Sequence, residues 1–138
     1  MRDYARETEE RVQYIREILK DSGAKGIVFG NSGGKDSALV GILCKKASVN
    51  TVGVIMPCGS SRNYGEDTKD GLEVAKAFDI STRTVDLTPV KDRIMAAMES
   101  AVTVTKSAEA NIAPRLRMTT LYAIAASEGR LVAGRGNR

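Results

Sequence analysis

Gly30-Asn31-Ser32-Gly33-Gly34-Lys35-Asp36-Ser37 stands between a short apolar run, Ile27-Val28-Phe29, and a longer one, Ala38-Leu39-Val40-Gly41-Ile42-Leu43. The first run suits a buried strand and the second a buried helix. Strand, glycine-rich turn and helix start, in that order, make a phosphate cradle. Glycines let the backbone approach an anion, and the free N–H groups of the helix start point at it. The stretch is not the G-x-x-x-x-G-K-[ST] loop: Phe29 stands where that loop has its first glycine, and Asp36 where it has a hydroxyl. A carboxylate facing a polyphosphate needs a cation between them. Asp36 is therefore read as a ligand of Mg2+, a metal usually held by one or two carboxylates plus substrate phosphate. The hydroxyls of Ser32 and Ser37 and the amides of Gly33 and Gly34 are read as holding phosphate oxygens. Asp36, Ser32 and Ser37 are thus the expected catalytic group. The plain alternative makes Ser32 a helix cap and Asp36 a first-turn acid, worth about 0.3–1 kcal/mol against the helix dipole. A cap needs one hydroxyl, however, and has no use for Gly-Gly followed by Asp-Ser.

The 138 residues allow one domain with a real core. Hydrophobic residues at 42% and charged residues at 28% are ordinary for a globular chain. No apolar run approaches the ~20 residues that span a bilayer, so no membrane role is expected. Two cysteines, Cys44 in an apolar stretch and Cys58 in a polar one, suggest reduced thiols and a cytoplasmic setting. The chain has no histidine, which excludes Ser-His-Asp and Cys-His nucleophiles from it. A net charge of +4 raises the possibility of nucleic-acid binding, but aromatics are only 4% and there is no long Lys/Arg run. Basic side chains facing a polyphosphate explain the same excess, so no nucleic-acid partner is expected.

Residues from about Asp3 to Lys20 read as an amphipathic helix, with Val12, Ile15, Ile18 and Leu19 on one stripe, facing the core or a partner chain. Strand one is expected at Lys25–Gly30, and the helix after the turn runs to about Ala47. Thr51–Met56 reads as strand two, stopped by Pro57, and Cys58–Gly65 as a loop. A helix is expected at about Glu66–Phe78, with Leu72, Ala75 and Phe78 on one side, followed by a strand at Ser81–Leu87. Thr88 is the expected cap of a helix with Pro89 at its first position and Val90, Ile94, Ala97, Met98 and Ala101 on its inner face. Periodicity breaks at Thr105–Asn111. A last helix is expected from about Pro114 to Ser127, then a fourth strand at Leu131-Val132-Ala133. Alternating strands and helices predict an α/β fold, a parallel sheet of about four or five strands with helices on both faces. Ligands in such sheets sit beyond the carboxyl ends of the strands.

Ser32-Gly33-Gly34-Lys35-Asp36-Ser37 resembles the S-G-G-x-D-S pyrophosphate loop of the N-type ATP pyrophosphatases, whose fold is the adenine nucleotide alpha hydrolase-like one. Those enzymes cleave ATP between its α and β phosphates and adenylate a substrate. Asn111-Ile112-Ala113-Pro114-Arg115-Leu116-Arg117-Met118-Thr119-Thr120-Leu121-Tyr122 is similar to the N-x-x-x-R-x-R-M-x-x-x-Y segment of ammonia-dependent NAD synthetases. Leu131-Val132-Ala133-Gly134-Arg135-Gly136-Asn137-Arg138 resembles their L-V-x-G-T-G-N-x run. With Met56-Pro57 and Arg62 in the loop that follows, the resemblance covers essentially the whole chain.

The resemblance implies ATP as co-substrate, held by Gly30, Asn31, Ser32, Gly33, Gly34, Lys35, Asp36 and Ser37, with Met56, Arg62 and Arg135 also on the ATP side and Arg62 at the adenine end. It implies deamido-NAD on Asn111, Arg115 and Tyr122, with Tyr122 supplied across a homodimer. Ammonia would be the nitrogen source, since no glutaminase portion is recognised. The residue types suit these tasks: arginine offers a planar fork to phosphate or carboxylate, and tyrosine a stacking face. Arg115 and Arg117 are otherwise a solvated first turn, although cations sit poorly at that end of a helix, and Tyr122 is otherwise core. Three departures stand out. Lys35 replaces a residue that many relatives have neutral, and either contacts phosphate or points to solvent. Arg135 replaces a threonine that contacts ATP in the family. The family's second acidic magnesium ligand falls beyond Arg138, so the 138 residues read as a single ATP-pyrophosphatase domain forming the N-terminal part of a longer chain. A tRNA-modifying pyrophosphatase using Cys58, or a non-catalytic ATP-binding fragment, are the competing readings.

Overall fold

A strand at the centre of a parallel sheet is covered on both faces, so consecutive residues must all be apolar. Ile27, Val28 and Phe29 meet that condition, with exposures of 1%, 0% and 0%. The computed structural model describes residues 4–31, 35–58, 72–73 and 75–133, with the backbone alone for residues 4, 35 and 36. The elements are α1 (Tyr4–Ser22), β1 (Gly26–Gly30), α2 (Lys35–Ala47), β2 (Thr51–Ile55), β3 (Ser81–Thr84), α3 (Thr88–Met98), α4 (Lys106–Ala110), α5 (Ile112–Glu128) and β4 (Arg130–Ala133). Helical residues also occur at 72–73 and 75–77, before β3. The four strands are all parallel, in the order β3-β2-β1-β4.

That order reverses at β1. From β1 the chain moves one way to β2 and β3, then crosses back to add β4 on the other side of β1. Right-handed crossovers running in opposite directions must lie on opposite faces of the sheet. The core divides accordingly. Val28, Val52, Val54, Met56 and Val132 pack with Leu121 and Ala125 of α5. Phe29 points the other way and packs with Ala75, Ile80 and Val40 of α2. The ring of Phe29 lies between two glycines: a Cβ added at Gly41 of α2 would stand 2.5 Å from Phe29 Cζ, and one at Gly53 of β2 3.0 Å from it. Two missing side chains thus set how closely α2 approaches the sheet.

The amino ends of the strands are clamped by polar groups. Asn50 Nδ2 donates to the Lys25 carbonyl at 2.7 Å, and Arg130 Nη1 donates to Asn50 O and Oδ1 at 3.0 and 2.9 Å. Arg130 Nε also meets Glu128 Oε1 at 2.8 Å, and Arg83 of β3 reaches the same oxygen at 2.9 Å. Gly129 links α5 to β4 at φ +68°, a left-handed conformation that favours glycine, with its N–H on Ala125 O.

Several expectations need correction. The strand expected to reach Leu87 keeps regular form only over Ser81–Thr84, although Val85 N still donates to Ile55 O and Leu87 N to Pro57 O. Thr88 does not cap α3; it is the first helical residue, and Asp86 Oδ1 accepts its N–H at 3.0 Å. The supposed inner face of α3 is not a core face, because α3 has no buried residue and Val90 and Ile94 are exposed. Of Leu72, Ala75 and Phe78, only Ala75 is buried. Of the α1 stripe only Val12 is buried, and Ile18 is exposed. Where periodicity fails, α4 forms, capped by Thr105 Oγ1 accepting from Ala108 N at 3.2 Å. Five residues are too few for a helical period to show. α5 starts at Ile112, before Pro114, because proline is tolerated where the first-turn N–H groups lack partners.

Candidate nucleotide site at the carboxyl edge of the sheet

β1 delivers its last residues to the point where strand order reverses, the place where ligands bind in open α/β sheets. Asn31 is 2% exposed, and its N–H donates to Val54 O at 2.8 Å, which carries the pairing with β2 one residue past the strand. α2 begins at Lys35, so Lys35, Asp36 and Ser37 occupy its first turn and Ser37 is half-buried. The strand and the helix start therefore occur as expected. Ser32, Gly33 and Gly34 lie outside the described residues, as do Arg62 and Arg135.

Gly30 and Met56 come together beneath this edge. A Cβ at Gly30 would lie 3.4 Å from both Met56 Cε and Leu121 Cδ1, so the ends of β1 and β2 meet the middle of α5 there. Met56 is buried, and its carbonyl accepts from Arg117 Nε at 2.9 Å. Asn111 and Arg115 are brought into contact: Arg115 Nη1 donates to Asn111 Oδ1 at 3.2 Å and more weakly to its carbonyl at 3.4 Å. Tyr122, seven positions after Arg115, falls on nearly the same side of the helix and is 46% exposed. Helical spacing thus gathers Asn111, Arg115 and Tyr122 on one accessible stripe, while Leu121 and Ala125 hold α5 against the sheet. Cys58 is half-buried and donates its thiol to Leu87 O at 3.7 Å.

Arg117 is the residue whose role the sequence pattern left open. It precedes Leu121 and Ala125 by four and eight positions, so a cation stands in line with the buried stripe. A charge in register with an apolar face announces a specific polar partner, which here is the end of β2. Away from this edge, a groove of about 560 Å3 is lined by Ala5, Thr8, Glu9, Val12, Arg16 and Lys46. Lys46 places it at the opposite end of α2 from the glycine turn. Among the described residues no three or more His, Cys, Asp or Glu side chains group as a metal site, and no helix is long and apolar enough to cross a membrane.

Comparison with known proteins agrees with this layout. The family model described as NAD synthase matches residues 7–138. The NH3-dependent NAD+ synthetase of Carboxydothermus hydrogenoformans is 40% identical over 139 aligned positions, covering 99% of this chain and 56% of that protein. That of Finegoldia magna is 38% identical, with 99% and 55% covered. Among solved structures, the NH3-dependent NAD synthetase of Campylobacter jejuni superposes with a TM-score of 0.85 at 31% identity, over 97% of this chain and 57% of that one. An NMN synthetase from Francisella tularensis gives 0.87 at 27% identity, over 96% and 54%. The chain spans about half the length of the curated relatives it matches. A parallel α/β sheet with the S-G-G-x-D-S sequence following the strand at its point of reversal, matched almost end to end by one family model, places this chain in the NAD synthase family.

Proposed function

We propose that this chain supplies the ATP-binding part of an enzyme that amidates deamido-NAD with ammonia, yielding NAD, AMP and pyrophosphate. The observation that carries the reading is the reversal of strand order at β1, the strand after which α2 begins with Asp36 and Ser37 in its first turn. Gly30, Asn31 and the turn residues Ser32, Gly33 and Gly34 would hold the phosphates with Lys35 and Ser37. Met56, Arg62 and Arg135 would line the remainder of the ATP side. Asn111, Arg115 and Tyr122 would take deamido-NAD, the tyrosine from the second copy of a homodimer. A hard carboxylate next to a hydroxyl is a donor set that Mg2+ accepts, which favours Asp36 as its ligand. When bound, that ion neutralises phosphate charge.

The reaction calls for placement more than for a side-chain nucleophile. The nicotinate carboxylate oxygen bonds to the α phosphorus of ATP as pyrophosphate leaves. Ammonia then bonds to the acyl carbon and AMP leaves with the carboxylate oxygen. Arginine forks and helix-start amides are suited to hold the two anionic substrates in line. A second reading takes deamido-NMN as the amidated substrate, favoured by the similarity to an NMN synthetase.

The test is NAD formation by the purified protein with Mg2+, ATP, deamido-NAD and ammonium, run in parallel with glutamine as nitrogen donor and with deamido-NMN as acceptor. Ammonium-dependent NAD and AMP in equal amounts support the proposal. Preference for deamido-NMN moves it to the second reading, and absence of AMP release with either acceptor refutes both. Sedimentation at high concentration checks the homodimer, and fractionation of the source cells a cytoplasmic location.

A further inference from the structure

Resting on the ATP reading just given, we propose that Arg117 is a positioning residue: its guanidinium holds the Met56 carbonyl just past the end of β2 and so fixes the Met56-Pro57-Cys58 segment beside the nucleotide. The carbonyls at this end of β2 alternate in direction. Val54 O accepts from Asn31 N on the β1 side at 2.8 Å, Ile55 O from Val85 N on the β3 side at 2.8 Å, and Pro57 O from Leu87 N, again on the β3 side, at 2.7 Å. By that alternation Met56 O belongs to the β1 side. Arg117 Nε donates to it at 2.9 Å, reaching across 61 residues of sequence from the second turn of α5.

This contact does more than satisfy one acceptor. It lies just past the carboxyl end of β2, beside the crevice at the strands' carboxyl ends in which folds of this class seat their ligands. It also ties that crevice to α5, which carries Arg115 in its first turn and Asn111 at its cap. The two halves of the site are therefore joined through one helix and one charge-assisted hydrogen bond. Only one of the five N–H donors of Arg117 is used on Met56. The residue is itself exposed, so the guanidinium sits at the mouth of the crevice rather than in the core.

The experiment compares wild type, Arg117→Met and Arg117→Lys in the full chain. Arg117→Met keeps length and apolar bulk but removes the donor, whereas Lys keeps a donor one bond beyond the position of Nε. Three quantities are read: KM for ATP against kcat, the amide-exchange rate of Leu87, and the unfolding midpoint. Arg117→Met should raise KM for ATP roughly tenfold, the size of a lost charge-assisted hydrogen bond. It should also speed Leu87 exchange by a similar factor, with Lys recovering part of both. Unchanged KM and unchanged Leu87 exchange overturn the proposal. So does a lowered midpoint with reduced kcat but unaltered KM, which is the mark of a merely structural residue. If Arg117→Met fails to fold, Arg117→Lys decides on the same readings. Wild type that neither binds nor turns over ATP defeats the reading of the site and this role with it. Wild-type turnover with indifferent variants defeats this role alone.

Discussion

Replacing Gly41 by alanine tests how α2 is seated. In an exposed helix interior the change stabilises by about 1 kcal/mol, because alanine has the higher helix propensity. Here the new methyl would stand 2.5 Å from Phe29 Cζ and 2.8 Å from Cε2, closer than real Cβ contacts occur. The ring is fully buried and backs onto Gly53, where a Cβ would already be 3.0 Å away, so it has no free path of retreat. Overpacking of this kind costs about 1–3 kcal/mol. With the ring blocked on both sides the cost lies in the upper half of that range, about 2–3 kcal/mol; subtracting the propensity gain of about 1 leaves about 1–2 kcal/mol, or roughly 3–7 °C in Tm for a domain of this size. Urea unfolding followed by far-ultraviolet circular dichroism measures it, with an unchanged m-value as the check that the denatured state is not responsible. The same substitution in a Phe29→Leu background should cost much less, since leucine lacks the clashing ring atoms; the two changes should couple by about 1 kcal/mol. If Gly41→Ala is neutral or stabilising, or costs the same in both backgrounds, the ring does not set the spacing of α2 and the reasoning fails.

Asp36→Ala should abolish the magnesium dependence of ATP binding, measured by titration calorimetry with and without Mg2+; equal affinity in both conditions for the unaltered chain would count against the role given to Asp36. Burial pushes the Cys44 thiol up to about 11 from an ordinary 9.0, so a maleimide or disulfide reagent near pH 8 should modify Cys58 first and Cys44 only on unfolding, as read by peptide mass spectrometry. Because the folded state holds that proton more tightly, stability should also decline as pH rises from 9.0 towards 11. Hydrogen bonds from Arg130, and then Arg83, hold the Glu128 carboxyl below its usual 4.5. A lowered carboxyl pKa contributes above the unfolded value and is lost on acidification, so the Tm gap between wild type and Glu128→Gln should be present at pH 7 and close below pH 4.5; a gap that persists in acid refutes it.

The parts of the fold legible in the sequence are those that burial dictates. Ile27-Val28-Phe29 and Thr51–Ile55 are covered on both faces, and so read as unbroken apolar or β-branched runs. The passage from β1 to a helix starting at Lys35 was legible because two apolar runs flank a polar, glycine-rich interruption. β3 was harder: its residues are mostly exposed, so edge position rather than hydrophobicity defines it. α3 misled because apolar residues at helical spacing do not guarantee burial, as exposed Val90 and Ile94 demonstrate. α4 stayed hidden because its single turn depends on Thr105, a cap whose effect is local and carries no period. Arg117 was visible as a motif member, but its bond to Met56 O joins residues 61 apart in sequence, a contact no linear pattern encodes.

The pairing of Gly26 with Arg130 has a bearing on how the chain is made. β1 acquires its first neighbour after one short crossover, but its second only when a stretch about a hundred residues further on has been synthesised. At 5–20 residues per second the ribosome leaves that flank of β1 unpaired for roughly 5–20 s. Throughout that interval a row of open amides and carbonyls lies next to the stickiest segment of the nascent polypeptide, a natural station for a chaperone and a point where slowed translation would favour clumping.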